Sequence, residues 1–241
     1  MIPNLSRKRL ANIPLSENCK AIILGTILGD GSLKIHKGDK NARLTIRHSI
    51  IQKDYFYWLA DSLKEINNPG SVLTKPTGYS PNPKLQYQSK SCETLTKIHE
   101  ITYEKNCLKI KRSWLNFLTP LSLMVWWLDD GSIVGGGRQG VFCTDGFDLK
   151  SVEILVQYLD KVWDIKSRVG ISKKGDKEYP KIYLSTSNLI KFLVIIMPHI
   201  PVTSMVYKVR LRYKDKEMQQ RWISTMKEKL KVPFVENDIV Q

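Results

Sequence analysis

Two apolar runs in this sequence end in the same three residues, Asp-Gly-Ser, and they lie 100 residues apart. The first is ILGTILGDGS at 23–32 and the second is LMVWWLDDGS at 123–132. A second pair, YQSKS at 87–91 and YLSTS at 183–187, follows in the same order at an offset of 96. Self-similarity at a nearly constant spacing indicates a duplicated structural unit. The sequence therefore predicts two copies of one fold.

Each copy reads in the order helix, hairpin, helix, hairpin, helix. Ser16 is a predicted N-cap of the first helix, and Thr119 followed by proline begins its counterpart. Gly31 and Gly131 are predicted to stop these helices, Gly31 in a left-handed C-cap. The two runs are called the motif helices below.

Small residues on the first motif helix predict a close helix contact. Gly25 and Gly29 are four residues apart and share one face, which leaves room for another helix to approach. The counterpart has Val125 and Asp129 at these positions. Trp126 and Trp127 are predicted to be core residues.

The segments after each motif helix alternate polar and apolar residues, which is typical of half-buried strands. We therefore expect an α+β fold of two pseudo-symmetric αββαββα units, each with an antiparallel DNA-binding sheet, packed through the two motif helices. The predicted limits are an N-terminal extension at 1–15, half-domains at 16–112 and 113–212, and a C-terminal helix or tail at 213–241.

The formal charge of +15 at pH 7 predicts a polyanionic partner, with nucleic acid favoured over a ribosomal or membrane-surface role. Four cysteines lack the spacing of a zinc site and are interpreted as reduced thiols in or near the core. The longest apolar stretch, 189–202, is interrupted by Lys191, Pro198 and Pro201, so it is too broken to span a bilayer. The N-terminus has no apolar run of signal-peptide length, and we expect a soluble intracellular protein.

The outward strand faces supply the candidate DNA contacts. An antiparallel ribbon fits the major groove, where arginine reads guanine and glutamine reads adenine. The first copy contributes Ser32, Lys34, His36, Arg43, Thr45, Arg47, Lys84, Gln86, Gln88 and Lys90. The second contributes Ser132, Arg138, Lys166, Arg168, Lys174, Lys181 and Tyr183.

Asp30 and Asp130 end the two motif helices, where a carboxylate faces the negative end of the helix dipole. Such a position becomes favourable when a cation is bound, since carboxylate and carbonyl oxygens are hard ligands that suit Mg²⁺. If the two helices pack side by side, the carboxylates come together. Paired carboxylates with divalent ions in a basic protein indicate phosphodiester hydrolysis.

The two runs and the duplication resemble the LAGLIDADG homing endonucleases of the single-chain, two-motif type, over about residues 16 to 212. The resemblance implies that Asp30 and Asp130 bind the catalytic metals and that Gly29 and Asp129 add backbone carbonyls. It implies two or three divalent ions, normally Mg²⁺, for which Mn²⁺ or Ca²⁺ can substitute in binding. It also implies a basic residue near each scissile phosphate, and Lys109 and Lys208 match the repeat at an offset of 99.

Departures from the motif leave the metal ligands in place: Val125 replaces a glycine, and Leu28 and Leu128 stand where the family has an aspartate. The unequal halves predict a monomer that cleaves both strands of a long asymmetric double-stranded DNA site. Two alternatives stay open, an intron maturase that binds intron RNA and a non-cleaving DNA-binding regulator. Residue usage and the family favour an organelle-encoded protein, of mitochondrion or chloroplast.

Overall fold

The computed structural model describes residues 10–75 and 83–234. Contacts divide the chain into two compact units, Met1–Trp126 and Trp127–Gln241. This division falls inside the second motif helix, whereas the repeat places the half-domain boundary at residues 112 and 113. The predicted domain limits therefore stay a prediction, and residues 1–9 and 235–241 of the predicted tails lie outside the described residues.

The first unit follows the predicted order. Its repeat elements are α1 (Glu17–Leu28), β1 (Gly31–Lys34), β2 (Arg43–Ser49), α2 (Lys53–Ser62), β3 (Val72–Lys75), β4 (Lys84–Gln88) and α3 (Glu93–Thr102). A short hairpin follows, made of β5 (Tyr103–Glu104) and β6 (Cys107–Leu108), and then the short helix α4 (Arg112–Leu115). The helix α5 (Pro120–Asp130) begins in this unit.

The second unit repeats the same order from the end of α5. It contains β7 (Gly131–Val134), β8 (Gln139–Phe142), α6 (Leu149–Trp163), β9 (Ser167–Lys174), β10 (Lys177–Leu184) and α7 (Thr186–Ile196). A 3₁₀ segment, Thr203–Val209, leads to the predicted C-terminal helix, α8 (Lys216–Lys229).

Both units build the same sheet. The strand order is β1-β2-β4-β3 in the first and β7-β8-β10-β9 in the second. Each pairing is antiparallel. The two hairpins of a unit are joined through their inner strands, so a single four-stranded surface results. The predicted α+β fold with two repeated units is confirmed.

Alternation along the strands separates an inner from an outer face. In β2, Leu44, Ile46 and His48 are buried, while Arg43, Thr45 and Arg47 are partly or fully exposed. The inner face packs on aromatic side chains. In the second unit the rings of Trp127, Phe142 and Phe192 lie 5.1 to 5.4 Å apart between centroids. Trp126 and Trp127 are fully buried, as predicted.

The predicted helix starts are confirmed by their hydrogen bonds. The Ser16 hydroxyl accepts a bond from the backbone N–H of Cys19 at 3.1 Å. Thr119 caps α5, since its carbonyl accepts from the N–H of Leu123 at 3.0 Å. Pro120 then occupies the first helical position, where a missing N–H has no cost.

The predicted left-handed C-cap at Gly31 is wrong. The first motif helix already ends at Leu28, with Gly29 at φ −113° as its cap, and Gly31 begins β1. The glycine is required for space instead. A Cβ at Gly31 would overlap with Thr26, and one at Gly131 would overlap with the ring of Trp127. Both glycines let the chain pass from helix to strand against a bulky side chain.

The four cysteines are free thiols, but they do not all lie in the core. Cys19 is buried, and burial raises its pKa to about 12. Cys107 is exposed, contrary to the prediction. It lies in the short β5–β6 hairpin, whose turn residues Lys105 and Asn106 have left-handed φ angles, so its apolar neighbours in sequence do not cover it.

Within the residues that the structure describes, no helix is both long enough and apolar enough to cross a membrane.

The predicted close approach at Gly25 occurs inside the first unit. A Cβ on Gly25 would lie 2.5 Å from the backbone oxygen of Ser122 and 2.9 Å from the Cβ of Val125. Val125 therefore packs into the space that a side chain at position 25 would fill. This contact packs α1 against the first two turns of α5.

Gly25→Ala tests this packing. Alanine has the higher helix propensity, so an effect of propensity alone would stabilise the protein. We expect destabilisation by about 1 to 3 kcal/mol from overpacking, seen as a lower Tm in thermal unfolding. Gly146→Ala, where nothing lies within 4 Å of the added methyl group, is the control and should leave Tm nearly unchanged. A Gly25→Ala variant as stable as the parent would contradict the packing.

Candidate metal site and nucleic-acid interface

Each unit places an aspartate where its motif helix meets its sheet. Asp30 is the second residue of the turn between α1 and β1, and Asp130 is the last residue of α5, directly before β7. The following glycine pairs with the neighbouring strand in the same way in both sheets, Gly31 with Ile46 and Gly131 with Phe142. The two carboxylates thus hold equivalent places in their own units.

The surroundings of Asp30 suit a hard cation. Its side chain is 40% exposed. It lines an open groove of about 210 Å³ together with the hydroxyl residues Ser32 and Thr45. Carboxylate and hydroxyl oxygens with access to water match the ligand preference of Mg²⁺ and Ca²⁺. The described donors therefore fit a divalent ion at Asp30.

Asp130 is half-buried, and its backbone carbonyl accepts a hydrogen bond from the N–H of Cys143 at 3.0 Å. This bond ties the end of the motif helix to the strand beside it. Burial raises the pKa of the Cys143 thiol, so the thiol stays neutral at pH 7. Asp129, also half-buried, precedes Asp130 on the last turn.

Gly29 is the C-cap of α1, and its N–H donates to the carbonyl of Thr26 at 3.0 Å. The carbonyls at the end of an α-helix have no partner within the helix. The position of Gly29, one residue before Asp30, is consistent with its predicted role as a carbonyl ligand.

The two predicted catalytic lysines are anchored differently. The Lys208 ammonium donates to the carbonyl of Gly131 at 2.7 Å, so it is held one residue from Asp130. The carbonyl of Lys208 accepts from the indole N–H of Trp127 at 2.8 Å. Lys109 is positioned through its backbone, since its carbonyl accepts from the indole of Trp114 at 2.8 Å. Both lysines are half-buried.

Most candidate contacts of the first copy that lie on β1, just after it, or on β2 line one groove with Asp30. These are Ser32, Lys34, His36, Thr45 and Arg47. Arg43 lies outside it and forms an ion pair with Asp39 at 3.1 Å. The structure therefore brings a carboxylate and a set of cationic and hydrogen-bonding side chains onto one surface.

The candidates on β4 differ from one another. Lys84 is exposed and Gln88 is half-buried, but Gln86 is only 4% exposed, and its amide oxygen accepts from Arg47 Nε at 3.1 Å. Gln86 is thus a support for Arg47 and has little surface of its own. Lys90 lies beyond the strand, and its ammonium donates to the carbonyl of Glu65 at 2.9 Å.

In the second unit a groove of about 280 Å³ lies on β9 and β10, and its lining does not include Asp130. Three of the candidates line it, namely Lys166, Arg168 and Tyr183. Lys181, two residues before Tyr183, is half-buried and forms an ion pair with Asp145 at 3.5 Å. Ser132 lies on β7, Lys174 on β9, and Arg138 is exposed in the turn before β8.

The family-level comparison agrees with this arrangement. A sequence model described as the LAGLIDADG DNA endonuclease family matches residues 20–192. The chain belongs to this family. The match includes both motif helices and both sheets of the LAGLIDADG protein.

One curated LAGLIDADG relative is named as an mRNA maturase. Cytochrome b mRNA maturase bI2 of Saccharomyces cerevisiae is 31% identical over 210 residues, which are 81% of this chain and 48% of the maturase. The chain thus spans about half the length of this curated relative.

Solved structures show the same fold. The homing endonuclease I-WcaI, bound to its DNA recognition sequence, superposes with a TM-score of 0.73 at 22% identity, covering 88% of this chain and 95% of that one. A variant of I-DmoI in complex with its target DNA in the presence of magnesium gives 0.51 at 14% identity, covering 78% and 97%. At these identities the likeness concerns the fold.

His48, which no sequence pattern singled out, contacts the LAGLIDADG aspartate of the first unit. Its Nδ1 lies 3.5 Å from Asp30 Oδ2 and 3.2 Å from Gln52 Oε1. The strand pattern places His48 on the core face with Leu44 and Ile46, and it is indeed buried. One signal in the sequence could have identified His48, namely that it is a titratable residue at a core position of β2. It lies two residues after Ile46, the strand partner of Gly31.

Residues that line the second groove were also missed, namely Gln139, Ser185 and Asn188. Asn188 accepts from the backbone N–H of Lys166 at 2.9 Å and donates to Ser185 Oγ at 2.9 Å. They lie at the ends of strands and helices, where the alternation of polar and apolar residues along a strand does not predict which side chains face outward.

His48→Leu tests the contact with Asp30, because leucine fills the buried space but offers no ring nitrogen. Loss of a residue that orients a metal ligand typically costs about 10- to 100-fold in metal affinity or activity. We expect a rise of this size in the Mg²⁺ concentration needed for half-maximal DNA cleavage.

The control is His99→Leu in the same unit, a buried histidine that stacks on Tyr103 with ring centroids 4.9 Å apart. It should leave the Mg²⁺ dependence unchanged. Equal effects of both variants would assign the change to core packing and contradict the contact.

Proposed function

We propose that the protein is a site-specific endonuclease that hydrolyses both strands of a long, asymmetric double-stranded DNA target with divalent metal ions. The observation that carries this proposal is the repeated junction. An aspartate lies between a buried helix and an antiparallel sheet in each unit. Each sheet also carries a groove lined with cationic and hydrogen-bonding residues, and the groove of the first unit includes Asp30.

In this proposal Asp30 and Asp130 are the metal ligands, with the carbonyls of Gly29 and Asp129 as further donors. A divalent ion, Mg²⁺ by preference, would supply an activated water and neutralise charge on the leaving oxygen. The residues contribute a negative charge fixed at a helix end, where the dipole adds to the attraction for a cation. The meeting of the two carboxylates stays a prediction from the repeat.

Lys109 and Lys208 would stabilise the charge that develops on the phosphate. Lys208 suits this role because its ammonium is already held beside the residue that follows Asp130, at 2.7 Å from the Gly131 carbonyl. A lysine ammonium carries a positive charge and three N–H donors, and both properties suit contact with a phosphate oxygen.

The target is proposed to be asymmetric, because the two sheets carry different side chains on the same strand order. At corresponding positions of the two inner strands, Thr45 pairs with Gln88 in the first unit, while Val141 pairs with Tyr183 in the second. Different side chains read different base edges. A single copy of the chain then suffices for one site.

The second candidate is an RNA splicing cofactor for an intron. The specific observation in its favour is the 31% identity to cytochrome b mRNA maturase bI2. That likeness also accords with an organelle-encoded origin. A DNA-binding regulator without cleavage is less well supported, since both aspartates are retained.

Asp30→Asn and Asp130→Asn test the endonuclease. Each substitution removes a metal-binding charge, so cleavage of a plasmid library of candidate sites should fall by at least about 100-fold. Binding of DNA in Ca²⁺ should persist or tighten, since a negative charge facing phosphates is removed. Sequencing of broken ends with Mg²⁺ and with EDTA gives the measurement.

Asp61→Asn, on the exposed face of α2, is the matched control and should cleave normally. A protein with both aspartates replaced that still cuts would refute the assignment of the metal site.

The splicing role is tested with the same variants. A maturase acts by binding and stabilising folded RNA, which needs basic surface and no metal-binding aspartates. If the chain assists splicing, Asp30→Asn should retain the splicing of a host intron transcript while DNA cleavage is lost. Absence of any rate increase over RNA alone for the unmodified protein would exclude this function for that transcript.

A further inference from the structure

We infer that Arg47 and Arg168 are specificity-determining residues, each of which reads one guanine in its own half of the DNA target. The inference rests on the proposed function. It singles out two side chains among the many cations of the sheets, because these two are held in place before any ligand arrives.

Arg168 is held by stacking. It lies on β9 directly opposite Tyr183 on β10, and its guanidinium carbon is 4.9 Å from the centre of the tyrosine ring. The ring in turn lies against Gly170. A Cβ at that position would be 2.6 Å from Tyr183 Cε2. The absent side chain leaves room for the Tyr183 ring and for Arg168 Nη1, which would lie 3.4 Å from the same Cβ.

This stack leaves the recognition edge of Arg168 available. Stacking uses the face of the planar guanidinium, whereas its N–H groups point outward in the plane. Guanine presents N7 and O6 in the major groove as two adjacent acceptors that match this fork. Arg168 also lines the groove of the second unit.

Arg47 is held by a hydrogen bond. Its Nε donates to Gln86 Oε1 at 3.1 Å, across a register pair of β2 and β4. Gln86 is only 4% exposed, so its amide is fixed by the packing around it. Use of Nε leaves the two terminal nitrogens of Arg47 for a bidentate contact. Arg47 also lines the groove of its own unit.

Other cations on the two sheets differ from this pair. Arg43 and Lys181 already form ion pairs, with Asp39 at 3.1 Å and Asp145 at 3.5 Å, which compensate their charge. Lys34, Lys84 and Lys166 carry ammonium groups on exposed, flexible stems. An ammonium group suits phosphate as a point charge but lacks the planar fork that distinguishes guanine.

The experiment is selection of bound sequences from a randomised duplex library, in Ca²⁺, with the Asp30→Asn, Asp130→Asn protein as parent. We expect a guanine preference that disappears at one position in Arg168→Lys and at another, in the opposite half, in Arg47→Lys. Affinity for the parent site should fall about 10- to 100-fold in each. Lysine keeps the charge, so non-specific binding should stay unchanged.

Two further variants remove only the supports. Tyr183→Leu and Gln86→Leu keep both arginines, and each should weaken the guanine preference at the position of its own arginine. Lys166→Ala is the comparison for a phosphate contact, with equal loss for all sequences. Circular dichroism confirms that each variant is folded.

The outcomes separate the inference from the proposed function. If the parent selects a defined site and both arginine-to-lysine variants select the same site unchanged, the two arginines are not base readers and the inference is wrong. If the parent binds no duplex DNA, the proposed function fails, and this inference fails with it.

Discussion

The structure depends on a residue without a side chain after each motif aspartate. Gly31 and Gly131 let the chain leave a buried helix and enter a strand against Thr26 and Trp127, after a two-residue turn in the first unit and directly in the second. A side chain there would push the strand away from the helix end. The aspartate would then no longer stand where helix carbonyls and the outer sheet surface adjoin. The glycine is needed for close contact, and its backbone angles are ones that any residue can adopt.

The electrostatics at these junctions oppose helix stability and favour ligand binding. A carboxylate at the negative end of a helix is destabilising in the absence of a cation. These carboxylates occur in a protein whose formal charge is +15 and whose sheet grooves carry lysine and arginine. Anionic groups at the helix end and cationic groups on the strands define where an ion and a polyanion would each be held. Functional sites commonly retain such locally unfavourable features.

Repetition and alternation made most of the fold predictable from the sequence. The duplicated Asp-Gly-Ser gave two units, and period-two patterns in segments such as 43–47 gave the outward faces. Packing detail was not predictable. Gln86 follows the pattern of an exposed residue but is covered, because Arg47 lies across it. His48 follows the core pattern yet reaches Asp30, since a strand end brings its inner face to the junction. Both depend on contacts between residues distant in sequence.

The equal strand order of the two sheets, combined with unequal side chains at corresponding positions of their inner strands, has a consequence for how such a protein changes over time. In a symmetric dimer every substitution appears twice, so altering one recognition surface necessarily alters its twin. Here a single codon affects a single surface. Side chains on one sheet can therefore change while those on the other are retained, and the two halves can diverge independently.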